Sequence, residues 1–181
     1  MYHRDMKNIV ISIVLCLMAA VSLSAQTPKP ADPNDVGSMD AIMKAIYDVI
    51  SGEKGKPRDW DRFRSLFHPD GRLIPSGKNA QTGIIGAKAS TPDEYATRAS
   101  AAFANNGFFE NEVARHVDMY GNIAQVFSTY ESRRAPGEKP FARGINSFQL
   151  LNDGKRWWVV TIYWQAETPD APLPKEFLKS H

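Results

Sequence analysis

The stretch that most constrains this chain runs from residue 108 to residue 166, where four β-rich runs follow one another with turn signals between them. Runs 108–119 and 123–134 are joined by Tyr120, Gly121 and Asn122. A turn over 135–140, holding Pro136, Gly137 and Pro140, leads into 141–152. Asp153 and Gly154, a strong two-residue hairpin pair, then lead into 156–166, RWWVVTIYWQA. Short turns between such runs dictate an antiparallel meander.

Helical spacing occupies the chain before residue 107. Met39, Ile42, Met43, Ile46, Tyr47 and Ile50 recur at three- and four-residue steps behind a capping Ser38, and Gly52 and Gly55 end the pattern. A second short helix fits 58–67, with Trp60, Phe63, Leu66 and Phe67 on one face. Thr91, Pro92, Asp93 and Glu94 form a strong helix start, and that helix runs to about residue 104. Between them, 68–77 (HPDGRLIPSG) reads as a turn and a short strand, and 76–90 as a flap over a pocket mouth or a plain surface loop. Helices first and strands after make the fold class α+β.

Segment boundaries follow from composition. Residues 9–21 (IVISIVLCLMAAV) are an apolar run behind Arg4 and Lys7, followed by Ser22, Leu23, Ser24 and Ala25. A charged start, a short apolar run and a small-residue exit predict a signal peptide over 1–25, cleaved after Ala25, and a secreted or periplasmic protein. An uncleaved anchor is the alternative, and Met6 is a second possible start. Cleavage would leave 156 residues, no Cys and a net charge of +1, so neither a disulfide nor a stable membrane anchor is expected in the mature chain. Residues 26–37 (QTPKPADPNDVG) are a Pro-rich, extended linker, 38–167 the domain and 168–181 a tail that Phe177 and Leu178 can pin to the body.

The chain is 43% hydrophobic, with 22 Lys and Arg against 20 Asp and Glu. That balance excludes a disordered chain and speaks against nucleic acid as a partner. The mature histidines, His68, His116 and His181, have no metal-ligand spacing, so no metal or cofactor is expected.

Pairing the strands about Gly121 and Asn122, Gly137 and Glu138, and Asp153 and Gly154 separates two faces. One face carries Val113, Tyr130, Ile145 and Ile162, then Val117, Val126, Gln149 and Trp158, then Arg115, Ser128, Ser147 and Val160, then Asn111, Ser132, Arg143 and Trp164. It is mainly apolar and is assigned to the side the helices cover. The other face has an aromatic centre of His116, Phe127, Phe148 and Val159 and places Glu112 on its border; it suits a protein partner.

Three amino-terminal helices, an LFHPDGRLI turn into a short strand, and a meander ending in WWVVTIYW resemble the nuclear-transport-factor-2-like, or SnoaL-like, superfamily, over roughly residues 38–167. The resemblance implies a cone-shaped α+β barrel of the cystatin-like type: three helices packed on a strongly curved antiparallel sheet, a pocket inside, and a homodimer through the convex face. Ketosteroid-isomerase-like members keep an acidic base in the early strand, where this chain has Leu73, Ile74 and Pro75. Epoxide-hydrolase-like members need an Asp–Arg–Asp trio, and no Asp pair falls on the face of Arg115.

The candidate ligand-binding set is Tyr47, His68, Arg115, Ser128, Tyr130, Ser147, Gln149 and Trp164. His68 is the candidate acid–base residue, or else caps the preceding helix. Arg115 orients a ligand oxygen, makes an internal salt bridge with Asp70 or Glu94, or reaches the rim. Two functions stay open: an exported pocket domain that binds a small, largely apolar molecule, and an isomerase, cyclase or dehydratase acting on a small hydrophobic carbonyl compound.

Overall fold

A computed structural model describes residues 29–179; the predicted signal peptide lies outside the described residues. The linker is not wholly extended. Asp32 accepts from the Asn34 amide at 2.9 Å and Pro33 sits at the first helical position, so Pro33–Val36 closes a short helix, α1. Val36 is buried, and Asp35 pairs with Arg62 at 2.7 Å, which docks the segment on the body.

Helix α2, Met39–Ile50, starts where Ser38 accepts from the Ala41 amide at 3.0 Å. Ile42, Met43, Ile46, Tyr47 and Ile50 are buried against the sheet, as their spacing predicts. Helix α3 is shorter than expected, Trp60–Ser65, because Asp59 caps it and Phe67 already belongs to a strand. Helix α4, Pro92–Phe103, carries a complete capping box between Thr91 and Glu94.

Six strands form one sheet: β1 Phe67–Lys78, β2 Ile85–Ala87, β3 Phe109–Tyr120, β4 Ile123–Arg133, β5 Ala142–Asn152 and β6 Trp157–Ala166, in the order β2-β1-β6-β5-β4-β3. The expected four-strand meander is present, with Gly121 and Gly154 supplying the positive φ its tight turns need. The expected short early strand is a long one. It pairs parallel to β6, Leu73 opposite Ile162, so the sheet is mixed rather than wholly antiparallel. The expected flap is a β-hairpin: β1 turns through residues 79–84 and returns as β2 at the sheet edge.

The register departs from expectation in three places. In β3, pairing from Ala114 to Tyr120 is as expected, but a bulge between Glu112 and Ala114 leaves Val113 unpaired. Beyond it, Glu112 lies opposite Tyr130 and Glu110 opposite Ser132, so both glutamates face the helices where Val113 and Asn111 were expected. In β5 the whole strand is shifted by one residue: Val126 faces Phe148 and Ser128 faces Asn146. The shift buries Phe148 and Leu150 and turns Ile145, Ser147 and Gln149 outward. Burial of those two large side chains decides it, since the long connection after Arg133 does not fix the register. A second bulge, between Gln149 and Leu150, keeps Ile162 and Trp164 inward and sends Trp158 outward, where its Nε1 donates to Asp153 at 2.8 Å.

The tail does return to the body. A single 3-10 turn, Lys175–Leu178, lies over β3 and β4 on the convex face, with the Phe177 ring 5.0 Å from His116 and 5.6 Å from Phe127. Thr129 Oγ1 donates to the Phe177 carbonyl at 2.5 Å.

Candidate functional site

Between the helices and the concave face lies a cavity of about 290 Å³. Its walls are apolar: Ile46 and Ile50 of α2, Phe63 of α3, Phe148 of β5, and Ile162 and Trp164 of β6. Into this wall project Tyr47, Tyr95, Glu110, Tyr130, Ser132 and Asn146.

Glu110 is the group on which these polar side chains converge. The β3 bulge turns it inward, onto a face otherwise made of aromatic and aliphatic side chains. Ser132 Oγ donates to its Oε2 at 2.6 Å, and Asn146 Nδ2 approaches its Oε1 at 3.5 Å. Burial pushes its carboxyl up to about 7, because an apolar wall disfavours the charged form; the two hydrogen bonds only partly offset this. Near neutral pH such a group can both take and return a proton.

Three phenols surround it. Burial, reinforced by the Glu110 charge, pushes the hydroxyls of Tyr47, Tyr95 and Tyr130 upward, so they remain protonated donors. Tyr47 OH is engaged with Ser128 Oγ at 2.7 Å and with Asn146 Nδ2 at 3.0 Å. The hydroxyls of Tyr95 and Tyr130 have no hydrogen-bond partner among the described residues, and no wholly buried side-chain polar atom is left unsatisfied, so both open onto the cavity.

The structure brings Tyr47, Tyr130 and Trp164 of the predicted set together in this wall. Ser128 is fully buried behind them, joined to Tyr47 and to Glu112 Oε2. Arg115 lies in an outer groove beside Lys44 and Asp48, not in the cavity. Its salt bridges are to Glu112, at 2.7 Å, and to Asp40, rather than to Asp70 or Glu94. His68 points away from the cavity: its Nδ1 accepts from the Asp70 amide at 3.2 Å and its ring meets the edge of Trp158. Ser147 and Gln149 stand on the convex face, beside Tyr163 and Thr161, because of the β5 shift. Sequence reasoning missed Glu110, Tyr95 and Asn146 as site residues. The available signal was Glu110 and Glu112 spaced two apart within a β-rich run, which puts both on one face but does not say which. Among the described residues, no three His, Cys, Asp or Glu side chains are grouped to hold a metal ion.

No family model matches this chain, and no curated protein does. Solved structures do. A candidate dehydratase of the NTF2-like family from Streptomyces avermitilis is similar with a TM-score of 0.53 and 15% identity, over 74% of this chain and 96% of that one. A protein of unknown function with a cystatin-like fold from Nostoc punctiforme is similar with a TM-score of 0.52 and 13% identity, over 72% and 89%. A candidate calcium/calmodulin-dependent protein kinase type II association domain from Thiobacillus denitrificans is similar with a TM-score of 0.53 and 10% identity, over 77% and 100%. The curved sheet, its helical cover and these likenesses together show a cystatin-like, NTF2-like fold.

Proposed function

We propose that this protein binds a small, uncharged, largely apolar carbonyl compound in the cavity and moves a proton on it through Glu110. The observation that carries this reading is a buried carboxyl, titrating near 7, beside two phenol hydroxyls that open onto the same apolar space. A cavity of about 290 Å³, filled to the packing density of about 0.74 found in protein interiors, suits a ligand of roughly ten to twelve non-hydrogen atoms. No Lys or Arg lines that cavity, so an anionic ligand would meet the Glu110 charge without a counter-ion.

Each group then has a role. Ionised Glu110 takes a proton from the carbon next to the carbonyl, and the electron pair of the broken C–H bond shifts toward the carbonyl oxygen. Tyr95 and Tyr130 donate to that oxygen as it becomes negative. The neutral Glu110 carboxyl returns its proton to another carbon, giving an isomer, or to a departing hydroxyl, giving water and an unsaturated product. This replaces the base expected in the early strand: the carboxyl comes from β3 instead. The candidate dehydratase among the structural likenesses is consistent with this class of reaction. The charged start and apolar run within 1–25 support a place outside the cytoplasm, and the convex surface around Ser147, Gln149 and Tyr163 is the surface we assign to a homodimer.

The test is a panel of monocyclic ketones and hydroxyketones incubated with the purified protein and with Glu110→Gln. The reading predicts conversion of at least one compound by the wild type, lost in Glu110→Gln while binding persists. Binding with recovery of every bound compound unchanged from the wild type would leave a carrier of small molecules and remove the reaction.

A further inference from the structure

Between the cavity and the outer groove, both of which Glu110 lines, a run of hydrogen bonds leads from Glu110 to Arg115, and counting protons fixes its direction. Arg115 holds the Glu112 carboxylate, with Nε at 2.8 Å and Nη2 at 2.7 Å from Oε1, while Asp40 binds the far side of the same guanidinium. A carboxylate only accepts, so Ser128 spends its one hydroxyl proton on Glu112 Oε2. Ser128 Oγ must therefore accept from Tyr47, 2.7 Å away. Tyr47 has then given away its only proton, and its oxygen must accept from the third partner, Asn146, at 3.0 Å. A side-chain amide can meet that demand only with its nitrogen. The same nitrogen faces Glu110 Oε1 at 3.5 Å.

We propose that Glu112 is a positioning residue which, acting through Ser128 and Tyr47, turns the Asn146 amide so that an N–H rather than a carbonyl meets Glu110. The inference rests on reading Glu110 as the working group of the cavity. Tyr47 consequently offers the cavity no proton, and donation to a ligand is left to Tyr95 and Tyr130. Every link lies on a different element: Glu112 on β3, Ser128 on β4, Tyr47 on α2 and Asn146 on β5. The order of donors thus depends on the whole cone being closed.

The titratable groups around Glu110 are Tyr47 of α2, Tyr95 of α4, Tyr130 of β4, and Glu112 and Arg115 of β3, with Lys44 and Asp48 of α2 lining the outer groove that Glu110 also borders. Strands β5 and β6 bring Asn146 and Trp164, which do not titrate. These surroundings make opposite outcomes separable. Replacing Glu112 by Gln removes a negative charge and loosens Arg115, and both through-space effects would lower the Glu110 midpoint. The chain of donors predicts the reverse. A Gln at 112 can donate to Ser128, Ser128 can then donate to Tyr47, and Tyr47 can turn its proton to Asn146. The amide flips, and its carbonyl faces Glu110.

The experiment is a carbon-detected NMR titration of the full chain labelled at glutamate carboxyls, with Glu110 assigned from the signal lost in Glu110→Gln. Exchanging a donor for an acceptor beside a carboxylate should raise the Glu110 midpoint by about half a unit to one unit in both Glu112→Gln and Ser128→Ala. Ser128→Thr keeps the hydroxyl and should leave the midpoint at its wild-type value. An unchanged or lower midpoint in either of the first two variants overturns the proposal, and so does an equal rise in Ser128→Thr. The titration needs no turnover, so a failed search for a substrate would remove the proposed reaction without touching this result.

Discussion

On its concave face the sheet holds Glu110, Tyr130, Ser132 and Asn146 within an apolar wall; on its convex face it carries Ser147, Gln149 and Thr161 toward solvent and His116, Phe127 and Thr129 under the tail. Both faces come from the same strands and alternate residue by residue. What separates them is solvent. A carboxyl on the convex face keeps its water, whereas the Glu110 carboxyl exchanges water for two hydrogen bonds and an aromatic wall, and its affinity for a proton rises. The contrast teaches that the chemistry here is made by placement. The sequence contains many acidic residues, and the bulge at Val113 selects which of them faces the cavity.

The comparison breaks most sharply at Glu110. Glu110→Gln should lower turnover of a cavity substrate by roughly 100- to 10,000-fold, as expected for loss of a general base, with the ligand still bound. Steady-state rates beside a binding isotherm check this. Next in size is the core that supports the concave face. Phe148 is 1% exposed, and Phe148→Ala should cost about 3–5 kcal/mol of stability by denaturant unfolding. The convex face should respond less. Phe177→Ala strips a half-buried ring from His116 and Phe127 and should cost about 1–2 kcal/mol, leaving the Glu110 titration in place. Smallest of all, Ser147→Ala should change stability by less than about 0.5 kcal/mol and leave ligand affinity unchanged. An equal loss of turnover from Ser147→Ala and Glu110→Gln would erase the distinction between the faces.

The helices and the number of strands in the meander were legible in the sequence, because each boundary is marked by one local device. Ser38 and Thr91 cap α2 and α4 through their own side chains, and Gly121 and Gly154 make the tight turns. Tyr47, Tyr130 and Trp164 were recognisable as cavity residues for related reasons: the first sits on a helical stripe, and the other two lie where the expected and observed registers agree about which face is inward. Face assignment failed where no local device acts. The connection between β4 and β5 is long enough to allow either register, and packing of Phe148 and Leu150 chose between them. The bulge at Val113 has no turn residue to announce it, so Glu110 and Glu112 were assigned outward or passed over. His68 was the candidate acid–base group by residue type alone, while the carboxyl proposed for that role faces the cavity only through the tertiary structure.

The pH dependence of stability tests the buried carboxyl most directly. Glu110 binds its proton more tightly folded than unfolded, where its ordinary value is 4.5. Its contribution to stability is therefore fully present below about 4.5 and is lost as pH rises to about 7. Glu110→Gln cannot ionise and escapes that loss. Denaturant unfolding of both proteins from pH 4 to pH 9 should show the variant gaining on the wild type between about 4.5 and 7, by roughly 3 kcal/mol, with a constant gap above. Stability curves that run parallel across the whole range would contradict a carboxyl held near neutrality by burial, and with it the account of the cavity as a site for proton transfer.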